Sequence, residues 1–338
     1  MNSYRQLLNI APHIPVKCSE GSSSLALFPT LGGRVFAEVA GESVHRVDLS
    51  AARNPSADFN NYGGNNFWPA PEGGEFGFNY RGDEWYVQDA INLQPFKVDN
   101  RPDGCTMQKE VALLNRRGIA INAVMQRELE TSPLPQILKG FNLKGFLSYT
   151  VHDLFKVTNK VDVSDALLAS WTLEQFDTSD STVSFCKVAN PEGAINFDFY
   201  NHPEGRILYK PGGFLYKTDG RRRGQIGVKL SSNAEFLGFY DLQKGLLVLR
   251  ENLSAVGGLY FNIADNNQPE GAFSAADNYS IFNSDTDMSA FELETVGAAN
   301  VDGGTLLGSQ LTSRTSFAVF SDLSELKGFV IQHIGGIW

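Results

Sequence analysis

Short runs of period-two hydrophobicity, each closed by turn residues, constrain this chain more than any other feature. Ile119, Ile121, Ala123 and Met125 alternate with Ala120, Asn122, Val124 and Gln126, and Ile195, Phe197 and Phe199 alternate with Asn196, Asp198 and Tyr200. The pattern returns at Ile226, Val228 and Leu230, and again at Leu259, Phe261 and Ile263. Because each run is short and bounded by Gly, Asn, Asp or Pro, it reads as a strand between turns, and many such strands predict a sandwich or barrel. Helical periodicity is confined to residues 3–10, where Ser3 is placed to cap a short turn carrying Leu7, Leu8 and Ile10. A doubly wound α/β fold is therefore excluded. The 24 Phe and 33 Gly suit a broad antiparallel structure, and no Pro-rich or Ser-rich linker or internal repeat divides the chain. The expectation is an all-β fold, one large antiparallel β-sandwich domain over residues 1–338 with a short N-terminal helical turn.

Charge narrows the partners. With 28 Lys plus Arg against 38 Asp plus Glu, the net charge of −10 argues against nucleic acid or an anionic membrane surface and leaves a neutral, polyhydroxylated or cationic ligand. The basic run Arg221-Arg222-Arg223, held between Gly220 and Gly224, reads as a solvated turn and is assigned no function. Cys18, Cys105 and Cys186 are scattered and odd in number, so they form neither a disulfide framework nor a metal site. The first ten residues lack the apolar core of a signal peptide, and no stretch approaches a membrane span. The expected location is cytoplasmic, with export after removal of a leader left open. Asp265-Asn266-Asn267 and Asp285-Thr286-Asp287 are oxygen-rich but lack the spacing of a calcium loop and read as Asx turns. With no Walker loop, Rossmann fingerprint, zinc pair or Gly-x-Ser-x-Gly elbow, neither cofactor nor metal is expected.

The segment 60–74 differs from the rest. Two Pro, two Gly pairs and four Asn predict an irregular loop rather than a strand. The same composition suits a sugar: flat Tyr62, Phe67 and Trp68 faces can cover the C–H side of a pyranose, while the Asn65 amide and the Glu72 carboxylate can address its hydroxyls. A tightly packed corner with Trp68 in the core fits the residue types equally well. Glu75, Asp83, Glu84, Trp85 and Tyr86 extend the acidic and aromatic character, as surface hairpins often do.

At this segment the chain resembles the galactose mutarotase-like superfamily, the aldose 1-epimerases and their relatives. Leu31-Gly32-Gly33-Arg34-Val35 is similar to the early strand with its glycine turn, and Tyr62-Gly63-Gly64 falls where epimerases have His-Gly-Gly. Phe155-Lys156-Val157-Thr158-Asn159 and Ala169-Ser170-Trp171-Thr172 resemble the central strand pair, which in epimerases carries a second His. Phe291-Glu292-Leu293-Glu294-Thr295 resembles the late strand bearing the general base, and residues 311–320 resemble the closing strand. The stretch from Phe67 to Gly74 is closest to uncharacterised bacterial branches.

The resemblance implies a β-supersandwich with a cleft for a mono- or oligosaccharide, lined by Arg34, Tyr62, Asn65, Trp68, Trp171 and Glu292. It implies Glu294 as base, and a strand would put Glu292 and Glu294 on one face with Leu293 opposite. Mutarotation also needs an acid for the ring oxygen. Both epimerase His positions are aromatic here, Tyr62 and Trp171, and Trp cannot transfer a proton. His13, His45, His152, His202 and His333 read as structural or exposed, although His45 could point into the cleft. Glu72 is the alternative acid. Three functions follow: an epimerase-type isomerase, a non-catalytic sugar-binding or sensing module, and a glycan lyase or hydrolase using Glu72 and Glu294.

Overall fold

The computed structural model describes residues 2–18, 22–101, 104–200, 202–254 and 257–338. Among these residues every strand pairing is antiparallel, and two large sheets carry the fold. The first, ten-stranded, runs in space from Ile14–Val16 through Ser23–Phe28, Arg34–Val39, Gly64–Ala70, Ala169–Asp177, Ala290–Val296, Asp277–Asn283 and Gly224–Lys229 to Ile195–Asn196. The second, eleven-stranded, is centred on the long strands Thr305–Phe320, Leu143–Val157, Ala120–Thr131 and Gly104–Leu114. This is the large antiparallel β-sandwich that the alternation predicts. In Ala120–Thr131 the buried positions fall on Ile121, Ala123 and Met125, as a period of two requires.

Core side chains of the two sheets meet between them: Phe67 of the first lies 4.6 Å from Phe155 of the second, and Phe176 lies 4.7 Å from Phe239. Two buried polar clusters cross the same layer. Arg127 pairs with Asp153 at 2.7 Å and reaches over to Asn65, while Glu174 gathers Arg250, Tyr149 and His45. His45 is fully enclosed, its Nδ1 accepting from the Ala37 amide and its Nε2 held 2.8 Å from Glu174, so it is a structural residue.

Several expectations are corrected. Strand pairing in 195–199 is limited to Ile195–Asn196, Leu230 begins a 3-10 turn, and 259–263 makes a single bridge, Leu259 with Ala299, because the chain there leaves the sheet to form loops. The two segments likened to a central strand pair belong to different sheets. Asn2, not Ser3, caps the N-terminal helix Ser3–Ile10, its side chain accepting from the Arg5 amide at 2.9 Å. A C-terminal helix, Leu323–Ile334, was not expected. Asp322 caps it, Gly335 at φ 95° ends it, and Leu326, Phe329, Val330 and Ile334 form one stripe packed on Leu247, Ala318 and Phe320 of the second sheet.

The segment read as an irregular loop contains a regular, wholly buried strand, Gly64–Ala70, paired with Ala169–Asp177 from Gly64 opposite Gln175 to Ala70 opposite Ala169. On its other side it meets Arg34–Val39 only at Asn65. Pro69 is tolerated because, among the described residues, the strand has no partner on that side beyond Asn65. Gly63, at φ 86°, is required at the strand entrance, since a Cβ there would stand 2.0 Å from the Arg46 carbonyl oxygen. No helix among the described residues is long and apolar enough to cross a membrane.

Candidate functional site

Alternation along four neighbouring strands of the first sheet sends one set of side chains between the sheets and the other into a cavity of about 380 Å³ on the opposite face. From Gly64–Ala70 come Asn66 and Trp68, from Ala169–Asp177 Trp171 and Gln175, from Ala290–Val296 Glu292 and Glu294, and from Asp277–Asn283 Phe282. Loops complete the wall with Glu72, Tyr80, Trp85, Tyr200, Arg223 and Asp265. Trp68 is the centre of the aromatic lining, with Trp171 edge-on at 6.3 Å and Trp85 near-parallel at 6.4 Å. Trp85, 40% exposed, forms the rim.

Four carboxyls converge here in different hydrogen-bond environments. Glu294 accepts from Trp171 Nε1 at 2.9 Å, from Gln225 Nε2 at 3.1 and 3.2 Å, and from the Ser280 hydroxyl. Burial, and then the neighbouring Glu292, push its pKa well above the usual carboxylate range. Glu72 has one donor, Trp85 Nε1 at 2.6 Å, and is also pushed well up, by burial and then by Asp265. Asp265 accepts from the Tyr200 hydroxyl at 3.0 Å, and burial raises it to about 7. Glu292, held by Gln175 Nε2 at 2.6 Å, is raised by burial too.

Two guanidiniums stand among these acids. Arg34 is buried, donates to the Gly63 carbonyl at 2.7 Å and, among the described residues, leaves Nε without a partner; burial lowers its pKa to about 9. Arg223 lies 4.8 Å over the Phe282 ring at the cavity mouth, with Nε donating to the Tyr200 hydroxyl at 3.0 Å. An aromatic-walled space with several acceptors and two cations can hold a polyhydroxylated ring by stacking and by hydrogen bonds to its rim.

Of the residues singled out from sequence, Arg34, Trp68, Glu72, Trp171, Glu292 and Glu294 line this one cavity. Asn65 does not. One residue out of register, it points between the sheets, where its Oδ1 accepts from Arg127 Nη2 at 2.6 Å, and Asn66 takes the cavity position. Tyr62 is also displaced. Its ring packs with Tyr4, Leu7, Phe28 and Phe36 beneath the N-terminal helix and backs Arg34 at 5.5 Å. The run 221–223 is not merely a solvated turn, because Arg223 reaches the cavity; Arg221 meets Asp180 on the surface. Asp265 likewise lines the cavity, while the Asx turn of this segment is made by Asn266, whose Oδ1 accepts from the Gln268 amide at 2.9 Å. None of the five His lines it, and among the described residues no group of three or more His, Cys, Asp or Glu is placed to hold a metal ion.

Residues 2–303 match the model of DUF6786, a family of unknown function. The chain belongs to that family. No curated protein matches this DUF6786 member. Among solved structures, the Slr1438 protein of Synechocystis sp. PCC 6803 is 13% identical with a TM-score of 0.52, over 92% of this chain and 96% of its own. A candidate mutarotase, YeaD of Salmonella typhimurium, is 11% identical with a TM-score of 0.51, over 94% of this chain and 99% of its own. A candidate aldose 1-epimerase of Escherichia coli K12 is 14% identical with a TM-score of 0.47, over 91% and 99%. The fold of this family member is thus of the galactose mutarotase type.

Proposed function

We propose that this DUF6786 member binds a sugar in the cavity and interconverts its anomers, with Glu294 as base and Glu72 as acid. One observation carries the proposal: two carboxyls in different environments face one aromatic-walled space. Three side chains donate to Glu294, which favours its charged form against the pull of burial. Glu72 has a single donor and Asp265 for a neighbour, which favours the neutral acid. Burial holds both carboxyls above the ordinary range, and it is the unequal donor sets that would separate a base from an acid at one site.

In this scheme Glu294 takes the proton from the anomeric hydroxyl. The anomeric carbonyl forms as the bond from that carbon to the ring oxygen breaks, and Glu72 delivers a proton to the ring oxygen. Rotation about the adjacent carbon–carbon bond and reversal of the steps give the other anomer. The Trp68 and Trp171 faces would hold the ring during the exchange. Exchange NMR on anomeric mixtures of several hexoses tests this: accelerated interconversion, lost in Glu294→Gln and in Glu72→Gln, is expected, and no acceleration for any hexose refutes it.

A second reading, a sugar-binding module without catalysis, is favoured by one feature. Trp171 stands where the epimerase resemblance puts a histidine, and its single N–H already serves Glu294. Sugar binding without anomer exchange would decide for this reading.

A further inference from the structure

We propose that the cavity is the end subsite of a longer cleft, and that the ligand is an oligosaccharide whose next unit lies in the groove between Tyr200 and Gln268. The proposal rests on the sugar reading above and extends it to the size of the ligand. Tyr200 is a shared wall: it lines the cavity and also an open groove of about 470 Å³ beside it. Gln268 is shared in turn between that groove and a further depression of about 380 Å³ next to Arg116 and Arg117. The three spaces therefore adjoin, the first two at Tyr200 and the last two at Gln268, and each is large enough for part of a small polar ligand.

The groove is built as a stiff floor with free groups on its rim. Asp198 accepts from the Glu270 amide at 2.9 and 3.0 Å and from Asn262, and Asn266 donates to the carbonyls of Asp198 and of Phe199, the latter at 3.1 Å. These bonds tie the loop before the Tyr200 wall to the loop after Asp265, so little ordering remains for a ligand to impose. The side chains of Gln268 and Glu270, by contrast, make no hydrogen bond or ion pair among the described residues and are exposed along the groove. An amide and a carboxylate on a groove that Tyr200 also lines repeat the chemistry of the cavity one unit further out. A free hexose would leave this set unused.

Calorimetric titration of the full chain tests the proposal, pairing glucose, galactose and mannose with maltose, cellobiose, lactose and mannobiose. At least one disaccharide is expected to bind about tenfold more tightly than its monosaccharide, the gain from one or two added hydrogen bonds. Gln268→Ala and Glu270→Ala are each expected to shrink that ratio and to leave monosaccharide affinity unchanged. Both side chains are exposed, so the variants keep the fold. Equal affinities for mono- and disaccharides, or a disaccharide preference that survives both substitutions, overturn the groove assignment and leave the cavity reading standing. Absence of binding by any of these saccharides overturns both.

Discussion

Replacing Glu294 with Gln is expected to change the pH dependence of stability in a direction fixed by the surroundings of the carboxyl. Burial and the neighbouring Glu292 raise its folded-state pKa well above the ordinary value of 4.5 that the unfolded chain retains. A group shifted this way stabilises the fold below its unfolded pKa, and that contribution is lost as pH rises through the folded pKa. The wild type should therefore lose stability relative to the variant at up to about 1.4 kcal/mol per pH unit above pH 4.5, until the folded carboxyl has ionised. The substitution has its own cost. At pH 5 the folded carboxyl is already protonated and its single O–H can donate to the Ser280 hydroxyl, whereas the Gln amide brings two N–H groups among the donors Trp171, Gln225 and Ser280, so one donor is left facing another. That mismatch costs about 1–3 kcal/mol. Urea denaturation at pH 5, 7 and 9 reads both effects. Glu294→Gln should be the less stable protein at pH 5, with the gap closing as pH rises. A constant gap, or one that widens with pH, would refute the claim that the fold resists ionisation of Glu294.

Four other substitutions separate the face of the cavity from the interior of the sandwich. Asn65→Ala removes an acceptor from buried Arg127 and should cost about 1–3 kcal/mol in urea unfolding without altering sugar affinity, whereas Asn66→Ala should weaken binding and leave stability nearly unchanged. Phe67→Ala, which empties the contact with Phe155, should cost about 3–5 kcal/mol. Phe329→Ala should cost a similar ~3–5 kcal/mol by opening the seam under the C-terminal helix, and hydrogen exchange should report the loss first along Leu323–Ile334.

How much of this was legible in the sequence depends on whether a residue's setting was local. Glu292 and Glu294 could be placed on one face because alternation in a strand is a property of consecutive residues. Trp171 and Arg34 followed from motif resemblance, and Trp68 from the aromatic and Asn-rich composition of its segment. Asn65 was misplaced by a single position because Pro69 and the glycine pairs disguised a strand, and in a strand one step reverses the face. Tyr62 lies just before the Gly63 turn that sets the strand's direction, so its partners beneath the N-terminal helix are distant in sequence. Arg223, Asp265 and Trp85 sit in segments whose local chemistry had a sufficient explanation as turns or a hairpin. Their convergence comes from loops far apart in sequence that the sheet brings together. The C-terminal helix carried a usable signal, the Asp322 cap and the spacing of Leu326, Phe329, Val330 and Ile334, which a reading tuned to period two passes over.

The central claim is that the cavity takes a sugar, and the protein carries its own reporter for it. Of the four tryptophans, Trp68, Trp85 and Trp171 line the cavity, and only Trp338 lies elsewhere. Titration of intrinsic fluorescence with the hexose and disaccharide panel is predicted to give a saturable change for at least one saccharide, reduced in Trp68→Phe because one of the three reporting rings is lost. A flat signal across the whole panel would contradict the account.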